Sequence, residues 1–197
     1  MDRDGDLLNL RTLFQSFGEI PDSDWELLLP HLQEKVLKKH DFFAEEGKTA
    51  MTVAYVIEGN LRQFYTKDGE ERTTYFYFSG NLMCSYISCL TKQPSLLTIE
   101  ALSDIHMLCF PYKVLEDLYE RSHAWNTCGR RLAEYLATGL EERMVSLLLQ
   151  SPEERYRSLL SSSKKRILEQ IPQQYIASYL GITPVSLSRI RGRITKL

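Results

Sequence analysis

The sequence has no long apolar run and no leader-like start, and both absences limit where the chain can act. No run approaches the roughly 20 apolar residues that a membrane-spanning helix needs. Residues 1–6 are acidic and lack the basic-then-apolar order of a secretory signal. The apolar fraction of 43% and charged fraction of 25% are ordinary for a globular chain. We therefore expect a cytoplasmic protein with no membrane partner.

Signatures of metal sites and of common enzymes are also missing. The cysteines (Cys84, Cys89, Cys109 and Cys128) include no Cys-x-x-Cys pair, and the histidines include no His-x-His pair. A zinc site, an iron–sulfur cluster or a cupin-like metalloenzyme would need such clustered ligands. The sequence also contains no Gly-x-Ser-x-Gly, P-loop or dinucleotide-binding fingerprint. We expect no catalytic residues, no metal site, no required cofactor, and buried, reduced cysteines.

The net charge of −2 conceals a strong asymmetry along the chain. Residues 150–197 carry nine basic and three acidic side chains, a net charge of +6, whereas residues 1–149 carry −8. A basic module attached to an acidic body suits a polyanionic partner. A solvated, charged tail would produce the same pattern, so charge alone leaves both interpretations open.

Short β-type runs occupy the region between Val36 and Phe110, after helical patterns near the N-terminus. Turn signals separate these runs about every ten residues. Asp68-Gly69 is a strong hairpin signal, because both residue types tolerate the positive φ angles of a tight turn. The spacing predicts an antiparallel sandwich or barrel.

A long helical pattern follows, in which apolar or small residues recur every three or four positions. From Trp125 to Leu148 the helix would be about 36 Å long, at roughly 1.5 Å per residue. Its stripe contains Trp125, Cys128, Leu132, Leu136, Gly139, Leu140 and Leu147. Such a stripe needs a cover, either the chain's own domain or a partner helix across a dimer axis. We predict a dimer interface here, with Gly139 marking a close helix approach or a hinge.

A new helix, and with it a domain boundary, is predicted at Ser151. Ser151 suits the N-cap, Pro152 the first helical position, and Glu154 the third position of a capping box. No internal repeat is visible in the sequence.

The most informative segment is a pair of short helices near the C-terminus. Pro172 opens the first helix, Gly181 supplies the left-handed residue of the turn, and Thr183 caps the second helix ahead of Pro184. The predicted core residues are Ile176, Ala177, Leu180, Leu187, Ile190 and Ile194. Two helices joined by a turn of three to four residues form the unit that places a helix in the DNA major groove.

The outer face of the second helix carries the candidate DNA-binding side chains. Arg189 lies one turn inside the helix, where its two-pronged donor set can reach a guanine edge. The other candidates, for phosphate and further contacts, are Gln173, Gln174, Thr183, Ser186, Ser188, Arg191 and Arg193. The alternative is a structural helix pair with solvated arginines.

Residues 175–184 read Tyr-Ile-Ala-Ser-Tyr-Leu-Gly-Ile-Thr-Pro, and residues 187–191 read Leu-Ser-Arg-Ile-Arg. With the order of the parts, these phrases make the whole chain resemble the cyclic AMP receptor/Crp–Fnr family of bacterial regulators. The resemblance implies an α+β fold, with an N-terminal double-stranded β-helix (a jelly roll like a cyclic-nucleotide-binding domain) over 1–120, a dimerisation helix over 121–149 and a helix-turn-helix domain over 150–197. The implied partners are double-stranded DNA with a palindromic operator, a second copy of the chain, and RNA polymerase.

The chain departs from the family pattern at the cyclic-nucleotide cassette. The family uses Gly-Glu and a later Arg-Ser or Arg-Thr, in which arginine pairs with the cyclic phosphate. Here Asn81 follows Gly80, and no arginine lies between Arg72 and Arg121. A buried phosphate without its cation is costly, so cyclic AMP binding of the usual kind is not expected. An unidentified small-molecule effector is expected near Gly80, Asn81, Ser85 and Tyr86.

Two further departures concern the DNA-binding part. Val185 stands where many family members place a base-reading glutamate, so the usual operator is not assumed. The sequence ends at Leu197, so we expect no C-terminal wing hairpin. Both departures keep a second function open, a ligand-sensing or protein-interaction module of the same fold that has lost specific DNA binding.

Overall fold

The structure is a computed structural model that describes residues 3–161 and 165–194. In these ranges the α-helices are α1 (Arg3–Gln15), α2 (Asp22–Glu26), α3 (Tyr86–Thr91), α4 (Tyr112–Arg121), α5 (His123–Leu149), α6 (Pro152–Ser161), α7 (Lys165–Gln170), α8 (Gln173–Leu180) and α9 (Pro184–Ile194), and a short 3-10 helix spans Leu29–His31. The strands are β1 (Gln33–Leu37), β2 (Phe42–Ala44), β3 (Thr52–Glu58), β4 (Leu61–Lys67), β5 (Glu70–Tyr77), β6 (Leu82–Met83), β7 (Thr98–Ala101) and β8 (Ile105–Pro111). None of the described helices is long and apolar enough to cross a membrane.

The strands form a β-roll, as the turn spacing predicts. In the described part of the chain, one sheet has the order β1-β8-β3-β6 and the other β2-β7-β4-β5, and the pairings within both are antiparallel. Alternate residues of each strand point between the sheets and form a common core. That core includes Ala54, Val56, Leu61, Tyr77, Ile99, Ile105 and Met107. The α+β fold with a jelly-roll domain is confirmed.

Helices cover the outer face of the sheet that contains β3 and β8. Val53 and Tyr55 of β3, with Leu108 and Phe110 of β8, point away from the sandwich core and pack against α1, α4 and the start of α5. Both faces of these strands are therefore buried, which explains why β3 and β8 read as nearly continuous apolar runs instead of alternating ones.

The first turns of α5 belong to this intrachain core, which corrects part of the dimer prediction. Ser122 caps the helix by accepting a hydrogen bond from the Trp125 backbone N–H at 3.1 Å. The Trp125 ring is fully buried and stacks on Trp25, with 6.5 Å between ring centroids, and Cys128 is 1% exposed. Trp125 and Cys128 therefore cannot face a second chain, and assigning them to the dimer interface was wrong.

The cysteines carry free thiols and are mostly buried. Burial raises the pKa of Cys109 and of Cys128 to about 11, because a thiolate is poorly solvated inside the core. Both side chains are consequently neutral thiols near pH 7. In the part of the chain that the structure describes, no cluster of three His, Cys, Asp or Glu side chains is arranged to hold a metal ion.

The C-terminal helices form a third core that the β-roll shares. At its start, Glu154 accepts from the Ser151 backbone N–H at 2.7 Å, and Ser151 Oγ accepts from the Glu154 backbone N–H at 3.3 Å. These are the reciprocal bonds of the predicted capping box. The cluster contains Tyr156, Leu159, Ile167, Ile171, Ile176, Ala177, Tyr179, Leu180, Leu187 and Ile190, together with Phe76 of β5 and Phe78 just after that strand.

Candidate nucleic-acid interface

Helices α8 and α9 form the helix-turn-helix unit that the sequence predicts. Gly181 ends α8 with φ +70°, the left-handed conformation that glycine adopts at little cost. The Ile182 backbone N–H closes the turn by donating to the Ala177 carbonyl at 3.0 Å. Thr183 Oγ1 then accepts from the Ser186 backbone N–H at 3.2 Å and caps α9. Local sequence signals therefore fix the angle between the two helices.

One face of α9 is buried and the other is presented to solvent. Leu187 and Ile190 are at most 5% exposed and pack against α8. The exposed side chains are Val185, Ser188, Arg189, Arg191 and Arg193, with Gln173 and Gln174 exposed at the start of α8. The structure thus brings most of the candidate DNA-binding residues onto one accessible surface, with Arg189 in the middle of α9.

Some of these candidates already have partners within the chain. The hydroxyls of Thr183 and Ser186 lie 3.0 Å apart and hydrogen-bond each other. Arg193 forms an ion pair with Glu153 of α6 at 2.9 Å, and Arg157 binds the same carboxylate at 3.0 Å. The hydrogen bond from Arg157 and the charge of Arg193 lower the pKa of Glu153, so the carboxylate is ionised at neutral pH. A phosphate contact by Arg193 would therefore compete with Glu153.

Helix α8 also closes the free edge of a sheet, a contact that sequence reasoning missed. Ser178 Oγ accepts from the Thr73 backbone N–H at 3.0 Å and donates to the Glu71 carbonyl at 3.0 Å. Both groups belong to β5, the edge strand next to β4, and an uncovered edge is a liability for any sheet. The helix-turn-helix unit is consequently docked on the β-roll.

A buried arginine strengthens this docking. The Arg62 side chain is 4% exposed, and its Nε donates to Glu100 at 2.7 Å while its Nη2 pairs with Glu71 at 2.6 Å. The guanidinium lies between two rings, 4.1 Å from the centroid of Phe64 and 4.0 Å from that of Tyr175 on α8. The charge network of the sheet therefore reaches the helix-turn-helix unit by a cation–π contact.

Ser178→Ala is expected to lower the free energy of unfolding by about 1–3 kcal/mol, because it leaves the N–H of Thr73 without its acceptor. Urea denaturation of the full chain measures the change. Ser188→Ala removes an exposed hydroxyl of α9 and serves as the control, with an unchanged midpoint expected. Equal midpoints for wild type and Ser178→Ala would show that the docking bonds add nothing to stability.

The four candidate effector residues of the β-roll have different roles in the structure. Gly80 has φ +90° in the turn after β5, and Asn81 Oδ1 accepts from the Phe78 backbone N–H at 2.9 Å. Ser85 is buried and hydrogen-bonds Ser95 at 2.8 Å, whereas Tyr86 is 37% exposed at the start of α3. Asn81 also borders a cavity of about 180 Å³ between the sheet and the C-terminal helices. Its other lining residues are Tyr75, Phe76, Phe78, Arg166, Ile167 and Tyr179.

Beyond its buried first turns, α5 exposes an apolar stripe. Leu136, Leu140 and Leu147 of the predicted interface are 38%, 71% and 45% exposed, and Met144 between them is 55% exposed. Leu132 is half-buried, and a Cβ placed on Gly139 would meet no described atom within 4 Å. These residues recur at helical spacing, so the stripe is one continuous surface without a cover in the described chain.

The fold and the two-helix unit together define an architecture, a β-roll followed by a helix-turn-helix. Residues 34–122 match the family model of the cyclic nucleotide-binding domain. The fumarate and nitrate reduction regulatory protein of Vibrio cholerae is 24% identical over 176 residues, which cover 83% of this chain and 69% of that protein. The chain is therefore similar in sequence to regulators of this kind, and in fold to a regulator of the Crp/Fnr family from Eubacterium rectale (TM-score 0.67 at 19% identity, over 87% of this chain and 82% of that one).

Solved structures show the same fold. FixK2 from Bradyrhizobium japonicum matches with a TM-score of 0.71 at 20% identity, over 84% of this chain and 85% of that one. The catabolite activator protein of Thermus thermophilus matches with a TM-score of 0.56 at 22% identity, over 91% and 86% of the two chains. The agreement extends beyond the β-roll, because both alignments cover more than four fifths of this chain.

Proposed function

We propose that this chain is a transcriptional regulator that binds DNA as a homodimer and inserts α9 into the major groove. The observation that carries the proposal is the accessible face of α9, on which Arg189 is exposed. The opposite face of this helix, formed by Leu187 and Ile190, is buried. A helix held in this way keeps its orientation while its outer side chains read base edges. DNA as the partner also makes the bacterial cytoplasm the expected site of action.

The exposed stripe of α5 supports the homodimer. Two copies of Leu136, Leu140 and Leu147 would cover each other if two α5 helices packed side by side about a two-fold axis. Such symmetric pairing would let the two α9 helices enter successive major grooves. The two half-sites of the DNA would then lie roughly 34–36 Å apart. The proposed operator is therefore a palindrome.

We also propose that any effector is something other than cyclic AMP bound in the usual way. No arginine lies between Arg72 and Arg121 to pair with a cyclic phosphate. The side-chain oxygen of Asn81, which follows Gly80, already accepts a hydrogen bond from the turn. The effector, if the regulator uses one, is an unidentified small molecule.

A selection of random DNA duplexes tests the function directly. The full-length protein is titrated against pooled duplexes at two salt concentrations, and the retained sequences are read. We expect a palindrome with half-sites one helical turn apart, with weaker binding at the higher salt because phosphate contacts release counterions. Salt-sensitive retention without a motif would contradict sequence reading. No retention at either salt would favour the alternative, a sensing or interaction module that has lost DNA binding.

A further inference from the structure

A small cavity lies where the end of α5 meets α6 and α8, outside the DNA-binding surface. Its volume is about 120 Å³. Its lining residues are Glu142, Arg143, Ser146, Arg155, Ser158, Leu159, Tyr179 and Leu180. Two arginines from successive helices therefore border one cavity, at the junction that sets how the helix-turn-helix unit is held on the long helix.

Both guanidinium groups are largely removed from water and bind main-chain carbonyls. Arg155 is 8% exposed, and its Nε and Nη2 donate to the Leu180 carbonyl at 3.1 and 2.8 Å. Its Nη1 donates to the Gln150 carbonyl at 2.5 Å. Arg143 donates to the Tyr179 carbonyl, and its guanidinium lies 3.8 Å from the centroid of the Tyr179 ring. Arg143 Nε is buried without an acceptor among the described residues.

The charge of these two groups is only partly balanced. Their carbonyl partners lie at the C-terminal ends of α5 and α8, and each helix end contributes roughly −0.5 charge, against two full positive charges. Glu142 borders the cavity but is exposed, and no described ion pair joins it to Arg143 or Arg155. Burial and the neighbouring Arg155 both lower the pKa of Arg143, because each opposes its positive charge. Among the residues that the structure describes, roughly one positive charge is left without a counterion.

We propose that this cavity binds a phosphate group, either free or carried by a small metabolite, between Arg143 and Arg155. A phosphate supplies acceptors for the buried Nε of Arg143 and neutralises the excess charge by charge-assisted hydrogen bonds. Bound there, the anion bridges α5 to α6 and secures α8 against the long helix. The ligand thereby fixes the direction of α9 relative to α5.

Thermal unfolding of the full chain in phosphate and in chloride buffers of equal ionic strength tests the site. Inorganic phosphate is expected to raise the Tm of the wild type by a few degrees, because a ligand that binds the native state stabilises it. Arg143→Gln is expected to lose most of that shift. Arg130→Gln removes an exposed arginine from the same helix and is expected to keep the shift in full. General salting-out by phosphate acts equally on all three proteins and is subtracted by the comparison.

The proposal is overturned if phosphate shifts all three proteins equally, or shifts none of them. Should Arg143→Gln fail to fold, Arg143→Lys keeps the charge without the Nε donor and is expected to lose most of the shift. A parallel measurement with glycerol 3-phosphate distinguishes free phosphate from a phosphorylated metabolite as the ligand. A larger rise in Tm than with inorganic phosphate would identify the ligand as a phosphorylated metabolite. The readout involves no DNA, so its failure is distinct from failure of the proposed function.

Discussion

Leu140→Glu is expected to convert the proposed dimer into monomers and to weaken operator binding by more than tenfold. Leu140 is 71% exposed in the single chain and lies between Leu136 and Leu147 on the apolar stripe of α5. Two-fold pairing would bring two introduced carboxylates together in an apolar contact, where burying unpaired charges is strongly unfavourable. Sedimentation of the purified protein measures the mass, and a DNA titration measures the affinity.

The size of the effect follows from the lost burial. Covering a leucine contributes about 1.5–3 kcal/mol, and the substitution removes this contribution from both copies. Each 1.4 kcal/mol corresponds to a tenfold change in the dissociation constant. Thr138→Glu places the same charge on the opposite, exposed face of the helix and should leave the dimer intact. A dimeric Leu140→Glu protein would move the interface away from this stripe.

Local rules were sufficient to predict the parts of this fold that depend on neighbouring residues. The capping bonds between Ser151 and Glu154, the left-handed Gly181 and the Thr183 cap all involve residues at most three positions apart. Their chemistry is visible in the sequence, because only certain residue types satisfy the free backbone groups of a helix end. The boundaries of the two-helix unit could therefore be predicted closely.

The helical period of α5 predicted a stripe but not what covers it. Trp125 and Cys128 lie on the same predicted stripe of α5 as Leu136 and Leu140. The first two side chains nevertheless pack inside the chain's own core, whereas the other two are exposed. Periodicity reports only that one face is apolar. Which residues cover a given turn of α5 depends on where α1 and α2 pack. The sequence of α5 itself carries no information about those positions.

Contacts between distant segments were missed for the same reason. The hydrogen bond from Thr73 to Ser178 joins residues 105 positions apart, and the contact between Arg62 and Tyr175 likewise joins the β-roll to α8. Once its burial is known, Arg62 requires a partner, because a buried charge needs compensation. Its partner could be named only once the sheet order and the position of α8 were known.

Arg189→Ala is expected to cost about 1–3 kcal/mol at one base position of each half-site and to relax specificity there. The reason is the loss of a forked donor that can bind two acceptors of a guanine at once. The measurement is a set of titrations against the selected operator and against duplexes changed at one base pair at a time. Wild type should discriminate at one position that Arg189→Ala no longer distinguishes.

Arg189→Lys separates base reading from charge. Lysine keeps the positive charge, so the salt dependence of binding should remain close to that of the wild type, but it lacks the planar fork that recognises guanine. Loss of discrimination with the salt dependence retained would therefore assign Arg189 to a base edge. If Arg189→Ala instead weakens binding equally on every duplex while Arg189→Lys largely retains it, Arg189 contacts the phosphate backbone. Base reading would then depend on the exposed α9 residues around it, of which Ser188 and Arg191 are the nearest in sequence.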